Sequence, residues 1–246
     1  MTTKVVNIAK NTSYFTFALI LQKVISFTYF AILASHLPPE QLGKYYFAIS
    51  FTVVIGILLD LGLGNVLMRE VAKDNSRAGQ LIGGVILIKI PLLFISFGLI
   101  ATLANVFAYE PLVKILIYFS ALNVALDTFT ANFYAVIRGH HKLIFESFGH
   151  VFFQLIVLSF GFVVLKLDLG LVWLITALTM ASLFNFTYSL IVLLSRLGIK
   201  IRIKSAVGPI WQLMLVAIPF SLYAIFQRVY QYMDSVLLKN LAGDEF

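Results

Sequence analysis

Six ionisable side chains lie within long apolar stretches of the sequence, where charges are rare. At the centre of a membrane helix each costs at least ~2.5–3.5 kcal/mol on insertion scales, so such residues pair, face an interior or line a water-filled cavity. The basic ones can give a cavity the positive potential that holds an anion such as phosphate, and the acidic ones can carry a coupling cation or a proton. The basic residues are Lys23, Lys89 and Arg228, and the acidic ones are Asp60, Asp127 and Asp234.

Neutral polar side chains accompany these charges at helical spacing. Gln227, Gln231 and Asp234 follow the pattern i, i+4, i+7 and therefore share one stripe of a helix. Two other predicted helices carry polar stripes at similar helical spacing. One stripe consists of Ser120, Asn123, Asp127, Thr130 and Tyr134, and the other consists of Ser147, His150 and Gln154. These stripes predict polar seams around a shared internal cavity. Its predicted neutral lining is Gln22, Ser26, Asn123, Gln154, Gln227 and Gln231.

The composition indicates the elements that position these residues. Of 246 residues, 61% are hydrophobic and 12% are charged, against roughly 45–50% and 25% in soluble domains. Because lipid gives backbone groups no partners, the apolar stretches must be helices, and the predicted fold is an all-α, polytopic transmembrane bundle. The predicted spans are 12–34, 44–67, 80–104, 112–137, 147–165, 170–194 and 209–238.

The chain has no cysteine, which excludes disulfides, a thiolate nucleophile and cysteine-ligated metal. No connector between the predicted spans is long enough to carry an extramembrane catalytic site. The histidines at positions 140 and 141 have no partners at metal-ligand spacing. We therefore expect no catalytic residue, no metal and no cofactor, and the protein is predicted not to be an enzyme.

The positive charge of the chain is a topology signal. The formal net charge is +7, but most Lys and Arg residues flank one end of the predicted spans. By the positive-inside rule this end is cytoplasmic, so the N-terminus is predicted to lie in the cytoplasm and the protein in the cytoplasmic (inner) membrane. The orientation of the protein in the membrane explains this uneven distribution of Lys and Arg, so the positive charge does not indicate a nucleic-acid partner. The basic residues at this end are Lys4, Lys10, Arg69, Lys73, Arg77, Arg138, Lys142, Arg196, Lys200, Arg202 and Lys204, and those at the other end are Lys44, Lys114, Lys166 and Lys239.

The first and seventh spans resemble each other. Gln22-Lys23-Val24 aligns with Gln227-Arg228-Val229 at an offset of 205, without a gap. Both helices run in the same direction, which predicts a parallel repeat. We therefore expect residues 1–205 to form a six-helix lobe and residues 206–246 to be the first helix of a second lobe that is truncated.

Several motifs are similar to those of a known family. The stretch "LASHLPPEQLGKYYFAISFTVVIGILLDLGLGNVLMREVAKD" resembles the first loop and second helix of polysaccharide-biosynthesis membrane proteins, and "NFYAVIRGHHKL" resembles the end of their fourth helix. By these motifs the chain is identified as a member of the Wzx-type O-antigen flippases, within the multidrug/oligosaccharidyl-lipid/polysaccharide exporter superfamily. The matching positions are Gly43, Tyr45, Asp60, Gly62, Leu63, Arg69, Glu70, Arg138 and Gly139.

This resemblance implies a mechanism and partners. Two six-helix lobes would surround a cavity that opens alternately to each side and would transfer an undecaprenyl-diphosphate-linked oligosaccharide to the outer leaflet. The basic cavity residues Lys23, Lys89 and Arg228 would hold the diphosphate while the lipid tail stays in the bilayer. Expected partners are this substrate, membrane lipid, and a polysaccharide polymerase or other assembly proteins.

Other interpretations compete with this one. Lys89 could neutralise Asp60 or Asp127 in a purely structural pair, or extend to the membrane surface. A cation-coupled multidrug exporter or a flippase for lipid-linked peptidoglycan precursors would belong to the same superfamily. A membrane-embedded glycosyltransferase would need a longer loop carrying carboxylates, and a purely structural subunit would leave six intramembrane charges without a role.

Overall fold

The structure is a computed structural model that describes residues 2–203 and residue 226, with side chains from Ser13 onward and at Phe226. These residues are helical with short connections, and no strand occurs among them. The predicted seventh span, with Gln227, Arg228, Gln231 and Asp234, lies outside the described residues. The proposed repeat and the division at residue 205 therefore stay predictions.

Eight helices follow one another along residues 2–203. A 3₁₀ turn, Asn75–Arg77, precedes the fifth helix, and a π-helical turn, Val192–Arg196, follows the eighth. The helices are α1 (Thr2–His36), α2 (Pro39–Ile55), α3 (Ile57–Asp60), α4 (Leu63–Lys73), α5 (Ala78–Val106), α6 (Pro111–Gly139), α7 (Leu143–Lys166) and α8 (Leu171–Ile191).

Five of these segments are long and apolar enough to cross a membrane. They are Ser13–His36, Asn75–Val106, Pro111–Gly139, Leu143–Lys166 and Leu171–Arg196. A sixth crossing results if α2 and the Ile57–Lys73 segment form one span, which is bent by 41°. The all-helical, polytopic fold predicted from composition is therefore confirmed for the part of the chain described.

The prediction of one continuous helix over residues 44–67 is wrong. The helix is interrupted at Gly56, which keeps right-handed helical dihedral angles, and it breaks again after Asp60, where Leu61 and Gly62 adopt left-handed conformations with φ of 41° and 64°. Glycine adopts this region without the Cβ penalty that other residues meet. Apolar periodicity continues across the break, so hydropathy alone predicted an unbroken span.

Helix α6 is the central element of the bundle. It packs against α2, α4, α5 and α8, while α7 packs against α1 and α8. One apolar cluster, around Leu33, Leu116 and Leu174, and a second, around Leu67, Ile82 and Val136, form the core on either side of the break in the second span. The arrangement holds the polar stripe of α6 close to α1, α7 and α8.

The outer face of α1 is apolar and exposed. Phe17 and Phe27 are 67% and 71% exposed, far more than is usual for large apolar side chains of a folded core. Such a surface is suited to acyl chains or to another helical element rather than to water. The side of α1 that carries Gln22 contributes instead to the interior cavity.

Candidate functional site

A polar cavity of about 360 Å³ lies between α1, α6, α7 and α8. Four helices contribute to its wall, so the site depends on the assembled bundle and not on one segment. Its size is near the lower end of the ~300–1,000 Å³ that is common for ligand pockets. The lining residues are Gln22, Asp127, Thr130, Ala131, Tyr134, Arg138, Glu146, Phe153, His150 and Asn185.

Helix α6 supplies half of this wall from a single stripe. Asp127, Thr130, Ala131, Tyr134 and Arg138 follow the spacing i, i+3, i+4, i+7, i+11, which keeps them on one face of the helix. Asp127 is exposed at the cavity surface. Three residues of the polar stripe predicted for this helix, Asp127, Thr130 and Tyr134, lie on this wall.

The stripe ends at an ion pair that connects α6 to α7. The Arg138 guanidinium donates from Nη1 to Oε1 of Glu146 at 2.5 Å, and Nε2 of His150 lies 3.4 Å from the same oxygen. Glu146 is 2% exposed. The three-residue connector at 140–142 makes α6 and α7 antiparallel neighbours, so residues eight positions apart in the chain face each other across it. Breaking such a largely buried pair leaves an uncompensated charge, which is costly.

A second polar contact connects α6 to α8 over a glycine of α7. The Tyr134 hydroxyl donates to Oδ1 of Asn185 at 2.5 Å, and both side chains are buried. A Cβ on Gly149 would clash with that hydroxyl and would lie 2.8 Å from Oδ1 of Asn185. Position 149 therefore has to be glycine for three helices to meet at this hydrogen bond.

Lys89 occupies a different place from the cavity wall. Its side chain is 0% exposed, its Nζ donates to the Thr128 carbonyl at 2.8 Å, and it lies 5.6 Å from the centre of the Phe129 ring. The interpretation that Lys89 extends to the membrane surface is wrong, because the amine points into the contact between α5 and α6. Lys89 is not among the residues that line the described cavity. Its pairing with Asp60 or Asp127, and its role toward a diphosphate, stay predictions.

The other candidates fall into three groups. Gln22 and Asp127 line the described cavity. Lys23 and Ser26 are exposed on α1, and Asp60 is half-buried at the end of α3. Asn123 and Gln154 are buried, but neither is among the lining residues. Within residues 13–203, no three His, Cys, Asp or Glu side chains are grouped so that they could hold a metal ion.

Sequence reasoning missed part of this site. Arg138 was interpreted as an orientation signal, and neither Glu146 nor Asn185 was a candidate. A signal for the first pair was present, because an acid and a base on either side of a short helix–helix connector are placed opposite each other. His150 follows Glu146 by one helical turn. For Asn185 we find no such signal, because its partner lies 51 residues away.

The fold and the cavity define a class: a multi-pass helical membrane protein with a cavity lined mainly by polar side chains between its helices. The family model described as "Polysaccharide biosynthesis protein" matches residues 8–246. This is nearly the whole chain, so the chain belongs to the polysaccharide biosynthesis protein family, and the resemblance seen in the sequence motifs is confirmed. No curated protein and no solved structure matches the chain.

The ion pair between Arg138 and Glu146 generates a first prediction. We expect Arg138→Gln and Glu146→Gln each to lower the free energy of unfolding by about 1–3 kcal/mol, below the full cost of a broken buried pair because Arg138 is partly exposed. The double variant should cost less than the sum of the two, since it removes both charges. Unfolding in detergent by heat or denaturant measures all three.

The matched control is the exposed pair of Lys73 and Glu70, whose atoms are 2.7 Å apart. Lys73→Gln should change stability by roughly 0.2–1 kcal/mol, as exposed pairs do. Strictly additive effects at Arg138 and Glu146 would contradict a coupled pair.

The close approach at Gly149 generates a second prediction. Gly149→Ala should destabilise the protein by about 1–3 kcal/mol through overpacking, although alanine has the higher helix propensity. Gly98→Ala is the control, because a Cβ there meets nothing within 4 Å. Thermal unfolding in detergent compares the two variants.

Tyr134→Phe removes the hydroxyl that the new methyl group would meet first. Combined with Gly149→Ala, it should recover part of the lost stability. If the double variant is no more stable than Gly149→Ala alone, the clash with the Tyr134 hydroxyl is not the cause of the loss.

Proposed function

We propose that this protein transfers a polyprenyl-diphosphate-linked oligosaccharide across the cytoplasmic membrane during surface polysaccharide synthesis. The observation that carries the proposal is a polar, charged cavity inside a membrane-spanning bundle of the polysaccharide biosynthesis family. Polar residues at membrane depth are expensive, so a cavity lined by them indicates a hydrophilic cargo. In this proposal the protein acts as a transporter and not as an enzyme, and it needs no cofactor.

The three parts of such a substrate need three different environments. The sugars need hydrogen-bonding groups, the diphosphate needs cations, and the lipid tail needs an apolar surface. Asp127, Thr130 and Asn185 on the cavity wall can serve the sugars. Lys23, exposed on α1 next to Gln22, and the predicted partner Arg228 are the proposed cations. The exposed apolar face of α1 is suited to the tail.

Orientation follows from the exposed basic residues at one end of the bundle. Arg69, Lys73, Arg77, Lys142 and Arg196 are exposed and lie at or beyond the helix ends on the side of the N-terminus of α1. The positive-inside rule then supports a cytoplasmic N-terminus. The substrate would enter from this side, where lipid-linked precursors are made.

Asp127 is the acidic candidate that the cavity favours for energy coupling. Its carboxylate is on the cavity wall, where a cation or proton could reach it together with the substrate. Asp60 and Asp234 stay predictions for this role. A polysaccharide polymerase or other assembly proteins remain the proposed protein partners.

A multidrug exporter is a second candidate, because the cavity wall carries Asp127 beside the aromatic residues Tyr134 and Phe153. Carboxylates and rings together recognise organic cations. A flippase for lipid-linked peptidoglycan precursors would use the same chemistry as the first proposal. A transport assay in vesicles that contain the protein distinguishes the three functions. It measures in parallel the transfer of a fluorescent polyprenyl-diphosphate oligosaccharide, a lipid-linked peptidoglycan precursor and a cationic dye.

Lys23 generates the prediction for this subsection. Lys23→Gln should lower the rate of leaflet transfer by at least about tenfold, the effect expected from losing one charge-assisted contact to the diphosphate. Arg228→Gln should do the same, and neither change should reduce membrane insertion.

Lys166→Gln is the matched control, since Lys166 is exposed at the opposite end of α7. It should transfer substrate at the rate of the unchanged protein. Full activity in both Lys23→Gln and Arg228→Gln would contradict the proposed role of these residues in diphosphate binding.

A further inference from the structure

We infer that the cavity between α1, α6, α7 and α8 binds the sugar units of the substrate, while the diphosphate binds outside it. This inference rests on the proposed function and deepens it. The sequence favoured a cavity with an electropositive wall for the diphosphate. The described lining points to a neutral ligand rich in hydroxyl groups.

The charges on the wall argue against a diphosphate at this position. The two basic lining side chains, Arg138 and His150, both contact Oε1 of Glu146. The positive charge of Arg138 is therefore directed at a carboxylate of the protein itself. Asp127, exposed on the same wall, adds a second carboxylate that would repel an anion.

The hydrogen-bonding groups lead to the same conclusion. An ionised diphosphate offers only acceptors, whereas each sugar hydroxyl both donates and accepts. The carboxylate of Asp127, whose side chain is exposed on the cavity wall, is an acceptor. Such an acceptor needs a donor, which the hydroxyl and amide groups of a sugar supply and a diphosphate does not.

The remaining wall has groups that complement a sugar ring. The Thr130 hydroxyl donates to the Leu126 carbonyl and can accept from a ligand, while the amides of Gln22 and Asn185 can donate. The half-buried ring of Phe153 offers a flat apolar surface, against which the C–H face of a sugar can pack. A volume of about 360 Å³ has room for a small saccharide but not for the polyprenyl tail.

This assignment sets the orientation of the substrate in the bundle. The sugars would lie among α6, α7 and α8, and the diphosphate would lie toward the exposed side of α1, where Lys23 follows Gln22 in the chain. The tail would leave along the apolar face of that helix. Only the sugar part would be enclosed by the cavity.

The absence of cysteine from the sequence allows a direct test in the full chain. Ala131→Cys places a single thiol at an exposed position of the cavity wall, and its labelling by a water-soluble maleimide is followed with and without ligand. Two probes are compared: the neutral oligosaccharide released from the cell's own lipid-linked precursor, and inorganic pyrophosphate. Ala72→Cys, exposed on α4 outside the cavity, is the control.

We expect the oligosaccharide to slow labelling at position 131 and not at position 72, and pyrophosphate to leave both rates unchanged. Phe153→Ala in the Ala131→Cys background should raise the sugar concentration for half-protection by about tenfold. Phe160→Ala, which removes an exposed ring from the same helix, should leave that concentration unchanged. Protection by pyrophosphate, or no protection by sugar, would overturn the inference.

Leaflet transfer by the unchanged protein separates this inference from the proposed function. If vesicles transfer the lipid-linked oligosaccharide but pyrophosphate protects Cys at position 131, the result supports the proposed transfer function and contradicts the sugar subsite. If the sugar protects but no lipid-linked substrate is transferred, the result supports the sugar subsite and contradicts the transfer function.

Discussion

A polar group inside a membrane-spanning bundle must find its partner within the protein, because hydrocarbon offers none. In this structure α6 is the helix on which that constraint acts most strongly. Its apolar faces pack against α2, α4 and α5, and its polar stripe faces the cavity next to α1, α7 and α8. The contacts of Arg138 with Glu146 and of Tyr134 with Asn185 satisfy buried polar groups across helices that are otherwise joined by apolar packing. The cavity exists where this pairing is left incomplete.

The same constraint separates two kinds of buried charge. Lys89 is enclosed between α5 and α6, where the Thr128 carbonyl and the Phe129 ring receive its amine. Glu146 is equally buried, but it belongs to the cavity wall and holds Arg138 and His150 on one oxygen. Only the second is among the residues that line the described cavity. Intramembrane charge alone therefore does not identify a binding residue.

Membership of the polysaccharide biosynthesis family and the chemistry of the cavity supply different parts of the functional proposal. The family match indicates the process in which the protein takes part. The wall of the cavity supports the proposed sugar subsite, since the Arg138 guanidinium faces a protein carboxylate and Asp127 adds an acceptor. The family match and the cavity together favour the proposal that the saccharide of a lipid-linked substrate occupies the cavity. Lys23 on α1 would then be available to the diphosphate.

The sequence by itself determined the class and the approximate spans of the described part, because hydropathy is a local property of the chain. Helical phase also put the polar residues of α6 on one face, and it proposed Gln22 and Asp127 for a shared cavity. Only the tertiary structure decided that Lys89 is enclosed away from the described cavity, that the second span breaks at Leu61 and Gly62, and that Asn185 meets Tyr134 over Gly149. These outcomes depend on which helices are neighbours and how closely they approach. Long-range packing sets both, and no local pattern of residues encodes them.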